Sequence, residues 1–220
     1  MIATWPASEG EEYALTLDRG REHRLLILPA LFDEANKLRH FTVEVMRRLD
    51  SAGIDCFLPN LPGCNESLAP LENQTLVGWR EAASAAAEHH RATLVLTIRG
   101  GGLCAPEGWP ILRYAPATGA SLLRGLLRAR TIVAREAGLD ENQKTLAERG
   151  RRDGLELAGH RIGATLFREL EAAEPSGGAA LSNIAQPDLG GPGLWLRAEP
   201  DHDPAQANAL AALVAKALEA

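Results

Sequence analysis

This chain is poor in the residues and patterns that mark disulfide-stabilised, membrane-spanning or nucleic-acid-binding proteins. Its 220 residues include three cysteines, Cys56, Cys64 and Cys104, and this odd number without paired spacing predicts neither a disulfide framework nor a zinc site. No run approaches the roughly 18 apolar residues that a membrane span needs. Lys and Arg number 23 against 29 for Asp and Glu, and this acidic balance argues against nucleic acid as a partner.

Targeting and cofactor signals are missing as well. The first ten residues contain Trp5, Pro6 and Glu9 in place of the basic start and apolar core of a signal peptide. Together with the unpaired cysteines, this predicts a cytoplasmic protein. We expect no cofactor and no metal, because the acidic stretch Glu199–Asp203 around His202 is equally typical of acids that precede a helix.

The sequence also contains no G-x-S-x-G, the turn that presents a serine nucleophile at the end of a strand. Ser121, in Gly119-Ala120-Ser121-Leu122-Leu123, lacks the closing glycine. We interpret Ser121 as the N-cap of a helix.

What the sequence does contain is an alternation of strand and helix patterns. Tyr13–Leu17 alternates apolar and polar residues, and a hairpin-like turn then leads to the buried run Arg24–Pro29. Further strands are predicted at residues 54–59, 93–98, 111–116, 155–158 and 193–198. Helices are predicted around Phe41, Val45 and Leu49, from Leu76 to the solvent-facing His89 and His90, over 121–137 with Ile132 on its buried face, over 163–171 and over 205–218.

This order predicts a single α/β domain over residues 1–220. Strands that alternate with helices indicate a three-layer α/β/α sandwich with a mostly parallel sheet and an antiparallel N-terminal strand. The polar stretch Gly138–Gly154 is predicted to be a mobile insertion or cap, and residues 175–180 a loop.

The run Ala92–Ile98 is the central strand of this prediction, and it ends at Arg99 and three glycines. Ligands of such sheets bind beyond the carboxyl ends of the parallel strands, so the turn after this strand is the expected site. Arg99 has two interpretations. It either pairs with a carboxylate inside the fold, or joins the Gly100 and Gly101 amides in a site for an anion.

Two other residues are candidates for chemistry. His202 follows the last predicted strand, but a general base needs a group to deprotonate, and without a serine it is equally interpreted as a loop histidine before the final helix. Cys64 lies in a Pro-Gly loop, where a thiol is a nucleophile if a cation lowers its pKa and is otherwise a small packed side chain.

The order of these features resembles the α/β-hydrolases. Two segments, Leu28–Arg39 and Leu58–Ser67, are similar to the P-x-x-x-E-x-N-K-x-R and L-P-D-L-P-G-C-G-D-S motifs of the exosortase A system-associated hydrolases of the second type. Residues 97–102, 114–130 and 155–162 resemble further segments of that family in the same order. Asn60 and Asn65 depart from it, since they replace an acid and a glycine.

The resemblance implies a hydrolase-like protein, without a serine nucleophile, of a bacterial exopolysaccharide and protein-sorting system. It places a site for a small anionic or acyl ligand at Arg99, Gly100, Gly101, Leu31, Phe32 and Asn36, with His202 and Cys64 as catalytic candidates. The alternatives are a working ester or thioester hydrolase and a structural subunit that acts through a protein partner.

Overall fold

A seven-stranded sheet forms the centre of the computed structural model, which describes residues 1–7, 10–175 and 180–218. Over these residues the strands are β1 (Ile2–Ala7), β2 (Gly10–Leu17), β3 (Arg24–Leu28), β4 (Asp55–Pro59), β5 (Leu94–Ile98), β6 (Ile111–Tyr114), β7 (Leu155–Leu157), β8 (His160–Ile162) and β9 (Ala180–Ile184). The sheet order is β1-β2-β4-β3-β5-β6-β9, while β7 and β8 pair in a separate antiparallel hairpin. Strands β4, β3, β5, β6 and β9 are parallel, and β1 and β2 are antiparallel to their neighbours.

Helices cover both faces of this sheet. They are α1 (Asp33–Ser51), α2 (Leu76–His89), α3 (Gly119–Glu136), α4 (Gln143–Asp153), α5 (Ala164–Ala172), α6 (Gln186–Leu189) and α7 (Pro204–Leu218). Side chains of a strand point alternately to the two faces, so Leu25 and Ile27 of β3 pack with α1 and α7, whereas Leu26 and Leu28 pack with α2, α3 and α5. The predicted three-layer α/β/α sandwich is confirmed.

The edge of the sheet differs from the prediction. Residues 2–7 form an additional strand, and β2 pairs with β4, not with β3, so the predicted hairpin from Tyr13–Leu17 to Arg24–Pro29 is wrong. The turn signal Asp18-Arg19-Gly20 cannot decide which neighbour a strand takes in the sheet. Here β2 pairs with the side of β4 that faces away from β3.

The C-terminal third contains a second topological difference. The predicted strand at 193–198 is wrong, because Leu194–Leu196 forms a single 3₁₀ turn. The last strand is instead β9, which begins at Ala180, where a loop was predicted; residues 176–179 of that loop lie outside the described residues. Gln143–Asp153 folds as α4 within the predicted insertion, whose role as a cap stays a prediction.

Three side-chain assignments are corrected. The N-cap of α3 is Thr118, whose hydroxyl accepts a hydrogen bond from the Ser121 N–H at 3.1 Å, so Ser121 lies inside the helix. His90 is 5% exposed and stacks on Phe57, whereas a solvent-facing residue was predicted. Ile132 of α3 is 49% exposed, not buried. Within the described residues, no helix is long and apolar enough to span a membrane.

Candidate functional site

The turn after β5 positions the centre of the site. Arg99 is its first residue and has a φ of 52°, a left-handed value that a non-glycine residue adopts only where the surrounding structure enforces it. Residues Arg99–Cys104 form a short 3₁₀ helix, and Pro106, Gly108 and Pro110 follow it, where they exclude a long helix. A Cβ on Gly101 would lie 2.4 Å from the Leu28 carbonyl oxygen, so only glycine allows this turn to pack on the end of β3.

The guanidinium of Arg99 is held on three sides. Its Nε and Nη2 donate to the two carboxylate oxygens of Glu34 at 3.0 and 2.9 Å, and its Nη1 donates to the Ala115 carbonyl oxygen at 3.0 Å. Its plane lies 4.1 Å from the centre of a Trp195 ring, in cation–π range. The side chains of Arg99 and Glu34 are 14% and 18% exposed. Of the two interpretations of Arg99, the ion pair inside the fold is therefore the one realised in this geometry.

A cleft of about 660 Å³ opens above this ion pair at the carboxyl edge of the sheet. One wall is the start of α1 and another is formed by α3, and Trp195 and Leu196 also line the cleft. The wall formed by α3 presents Ser121, Leu122, Gly125, Leu126, Arg128, Ala129 and Ile132. The cleft is thus apolar along much of α3 and charged along α1.

The residues predicted to bind a ligand do not all reach this cleft. Leu31, Phe32 and Arg99 line it. Gly100 and Gly101 are buried, with Gly100 packed against Leu31 and Leu122. Asn36 is exposed on α1 and is not among the described residues that line the cleft.

Cys64 lies in a different, smaller cavity of about 50 Å³, which Phe32 shares. Burial raises the pKa of the Cys64 thiol to about 12, with the Glu12 carboxylate acting in the same direction. The histidine that lines this cavity is His160, whose pKa is lowered by burial and whose ring meets the Phe32 ring edge-on at 5.6 Å. Cys64 is therefore a protonated thiol at neutral pH.

His202 lies against α1. Its ring packs against that of His40 at an interplanar angle of 32°, with 4.6 Å between ring centres, and its Nδ1 is buried with no hydrogen-bond partner among the described residues. The neighbouring Asp203 accepts hydrogen bonds from the N–H groups of Ala205 and Gln206 at 2.9 and 3.2 Å, so it caps the start of α7. In the described part of the chain, no three His, Cys, Asp or Glu side chains come together as a metal centre would require.

Sequence reasoning missed Glu34, Trp195 and Arg128 as residues of the site. Glu34 belongs to a segment that the resemblance singled out, and its acidic position in the first turn of α1 was the available signal. Trp195 was assigned to a strand that does not form, which hid its contact with Arg99.

Comparison with solved structures agrees with this topology. The chain is similar to the alpha/beta hydrolase domain-containing protein 10 from mouse, with a TM-score of 0.60, 12% identity, and 100% of this chain and 98% of that one covered. It is also similar to Est1E from Butyrivibrio proteoclasticus, solved with ferulic acid bound, with a TM-score of 0.52, 14% identity, and 78% and 71% of the two chains covered. No family model and no curated protein matches the sequence.

Proposed function

Since the chain has the α/β-hydrolase fold, we propose that it binds a small acyl or anionic ligand in the cleft above Arg99 without hydrolysing it. In this fold the strained turn after the central strand presents the nucleophile to the substrate. Here Arg99 stands at that turn with a φ of 52°, and all of its anchors lie within the fold. A guanidinium is a donor with no nucleophilic lone pair, so the turn supplies no attacking atom.

The other candidate nucleophile is also poorly suited to catalysis. Cys64 opens into a cavity of about 50 Å³, and burial raises the pKa of its thiol to about 12. His202, the candidate base, packs against His40 and lines neither that cavity nor the cleft among the described residues. A base and a nucleophile need hydrogen-bond contact, so these two residues do not support a catalytic pair.

The cleft has the properties of a ligand site. Its volume of about 660 Å³ lies within the range of small-molecule sites, which join apolar walls to a few polar groups. Leu31, Leu122, Leu126 and Ile132 form part of its apolar lining, and Arg128 supplies positive charge. Est1E, a protein of the same fold, holds an organic acid.

We also propose that the protein works in the cytoplasm as part of an exosortase-associated exopolysaccharide system. The two segments that carry the resemblance are joined in the fold. Glu34 pairs with Arg99, and Arg39 of the same segment donates at 2.9 Å to Glu66 of the other. Deletion of the gene is expected to alter exopolysaccharide secretion and to be complemented by the intact gene; secretion that is unchanged would contradict this role.

Turnover and binding assays test the proposed function. Chromogenic short-chain esters and acyl thioesters are incubated with the protein, with its H202A and C64A variants, and with a heat-killed sample. We expect rates at the level of the heat-killed sample throughout, while isothermal titration detects binding of decanoate. Turnover that H202A or C64A abolishes would establish the working hydrolase, and absence of both turnover and binding would favour the structural subunit.

A further inference from the structure

Some of the charged side chains that line the cleft have a partner of opposite charge and one has none among the described residues. Each of its two carboxylates already has a cation: Glu34 pairs with Arg99, and Asp33 accepts from the Lys37 ammonium at 2.8 Å. Arg128, the remaining charged residue of the lining, forms no hydrogen bond or ion pair through its side chain among the described residues. The cleft therefore carries one uncompensated positive charge, on the wall formed by α3.

The same cleft also has apolar lining on α3. Leu122 and Leu126 contribute to it and are 7% and 5% exposed, whereas Ile132, one turn from Arg128 on the same side of the helix, is 49% exposed. Ser121 adds a hydroxyl to the lining. From Ser121 to Arg128 the helix advances about 10 Å, the scale of an extended medium-length acyl chain. Gly125 lies between them, and a Cβ at this position would meet no atom within 4 Å, so the helix leaves open space there.

On the premise of the proposed function, we infer that Arg128 binds the anionic head of a single-chain amphiphile whose apolar chain lies in the cleft lined by Leu122, Leu126 and Ile132. The head is a carboxylate or a phosphate, because a guanidinium recognises both through paired N–H donors. Arg99 does not take this role, since an anion could reach it only by displacing the two hydrogen bonds to Glu34.

This assignment changes the expected position of the ligand. The approach to α3 lies beside the strained turn, since the Ala117 N–H donates to the Arg99 carbonyl oxygen at 3.3 Å, and Arg128 follows about two helical turns after Ser121. The head group is therefore held away from the place where a hydrolase would attack a carbonyl group. An amphiphile bound in this way is retained as an intact molecule. A cleft at the position of a hydrolase active site can in this way bind a ligand without cleaving it.

Isothermal titration with three probes tests the inference: decanoate, decyl phosphate and the neutral decanol. We expect R128Q to weaken binding of decanoate and decyl phosphate by about tenfold or more, because it removes a charge-assisted hydrogen bond, and to leave binding of decanol unchanged. R124Q is the matched control, since Arg124 is an exposed and equally unpaired arginine one turn away that is not among the described residues lining the cleft. If R124Q and R128Q weaken binding equally, α3 attracts anions as a general cationic surface, and the assignment is wrong.

A second pair of variants separates the inference from the proposed function. G125F places an aromatic ring in the cleft and is expected to abolish binding of all three probes, whereas G125A is expected to retain it. If the unmodified protein binds the probes, G125F abolishes binding and R128Q has no effect, the cleft is the site but Arg128 does not hold the head. If G125F leaves binding intact, the ligand lies elsewhere and the proposed function fails as well.

Discussion

Arg99 is the residue on which the interpretation of the site depends, and a serine substitution tests it directly. R99S removes both hydrogen bonds to Glu34 and the contact with Trp195, and leaves a carboxylate that is only 18% exposed without its cation. We expect a loss of about 2 kcal/mol in the free energy of unfolding. We also expect no ester hydrolysis, because His202 packs against His40 and is not among the described residues that line the cleft beside position 99. Urea denaturation and an ester assay measure the two effects.

The double variant R99S/E34Q is the control for this prediction. Removal of the uncompensated charge of Glu34 is expected to recover part of the lost stability, since the cost of R99S arises from that charge. Stability that is identical in R99S and the unmodified protein would mean that the pair contributes nothing. Ester turnover in R99S would show that the base is already in place.

His90 gives a prediction on pH. Burial lowers its pKa to about 4, with the neighbouring His89 and Arg24 acting in the same direction, whereas an unfolded histidine titrates near ~6.5. The unfolded state therefore binds more protons between these values, and the free energy of unfolding falls as the pH drops from 6.5 to 4, by about 2–3 kcal/mol. Unfolding midpoints in urea at pH 7 and pH 4.5 measure this loss.

A variant without the titrating group isolates this effect. In H90F the ring that stacks on Phe57 is kept and the proton site is removed, so the decline between pH 6.5 and 4 is expected to become shallower. An equal decline in both proteins would assign it to other groups. The contribution of Asp18 is lost in a lower pH range, because the Arg24 guanidinium holds the pKa of this carboxyl well below its usual value.

The sequence could not predict the contacts of such residues. Arg99 and Glu34 are 65 positions apart and meet only because β3 and β5 are neighbours in the sheet. His90 ends a helix beside charged residues, a setting typical of an exposed side chain, and its burial results from Phe57 of another strand. Pairings of this kind become visible only in the folded chain.

Among the elements, the turn after β5 has a glycine without room for a side chain, whereas the helix α3 has a glycine with open space around it. Gly101 is closely packed, since the Leu28 and Pro29 carbonyl oxygens lie 2.4 and 2.5 Å from the position that a Cβ would take, while Gly125 has open space around it. G101A is expected to lower the free energy of unfolding by about 1–3 kcal/mol through overpacking. G125A is expected to raise it by about 0.5–1 kcal/mol through helix propensity.

Differential scanning calorimetry of the two alanine variants measures both effects under the same conditions. Both variants replace a glycine by alanine, so the chemical change is the same and only the space around the two positions differs. Opposite shifts in melting temperature would therefore result from the packing at each position. A G101A variant as stable as the unmodified protein would mean that the turn separates from β3 at no cost.

The sequence predicts strands well where they lie inside the sheet and poorly at its edge. Strands β3, β4 and β5 are buried along their whole length, so most of their residues are apolar and the pattern is clear. Strand β9, Ala180–Ile184, includes the exposed polar residues Ser182 and Asn183 at the edge of the sheet, so its sequence lacks a strand pattern. Gly193–Ala198 has the apolar density of a strand, yet Leu194 enters the core, Trp195 packs on Arg99 and Leu196 is exposed.

On the scale of the whole molecule, the ion pairs around Asp55 and the cleft lie at opposite ends of the parallel strands. Asp55, at the start of β4, is fully buried and accepts hydrogen bonds from the N–H groups of Arg19 and Arg21 and from the Arg24 guanidinium, at 3.0, 2.8 and 3.1 Å. Arg24 in turn donates to the His90 carbonyl oxygen at 2.7 Å. The cleft opens at the carboxyl edge, where the strands end.

This separation predicts that stability and binding can be changed independently. D55N keeps the shape of the side chain but removes the buried one of the two carboxylates that pair with Arg24, the other being Asp18. We expect it to lower the free energy of unfolding by about 3 kcal/mol and to leave the affinity for decanoate unchanged at 25 °C. G125F is expected to do the reverse, with a normal urea midpoint and no binding. Urea denaturation and isothermal titration on both variants give four values. Circular dichroism establishes that D55N is folded under the conditions of the titration. A loss of affinity in the folded variant would mean that the two ends of the strands are coupled, since β3 and β4 connect the buried ion pairs to the loop that lines the cleft.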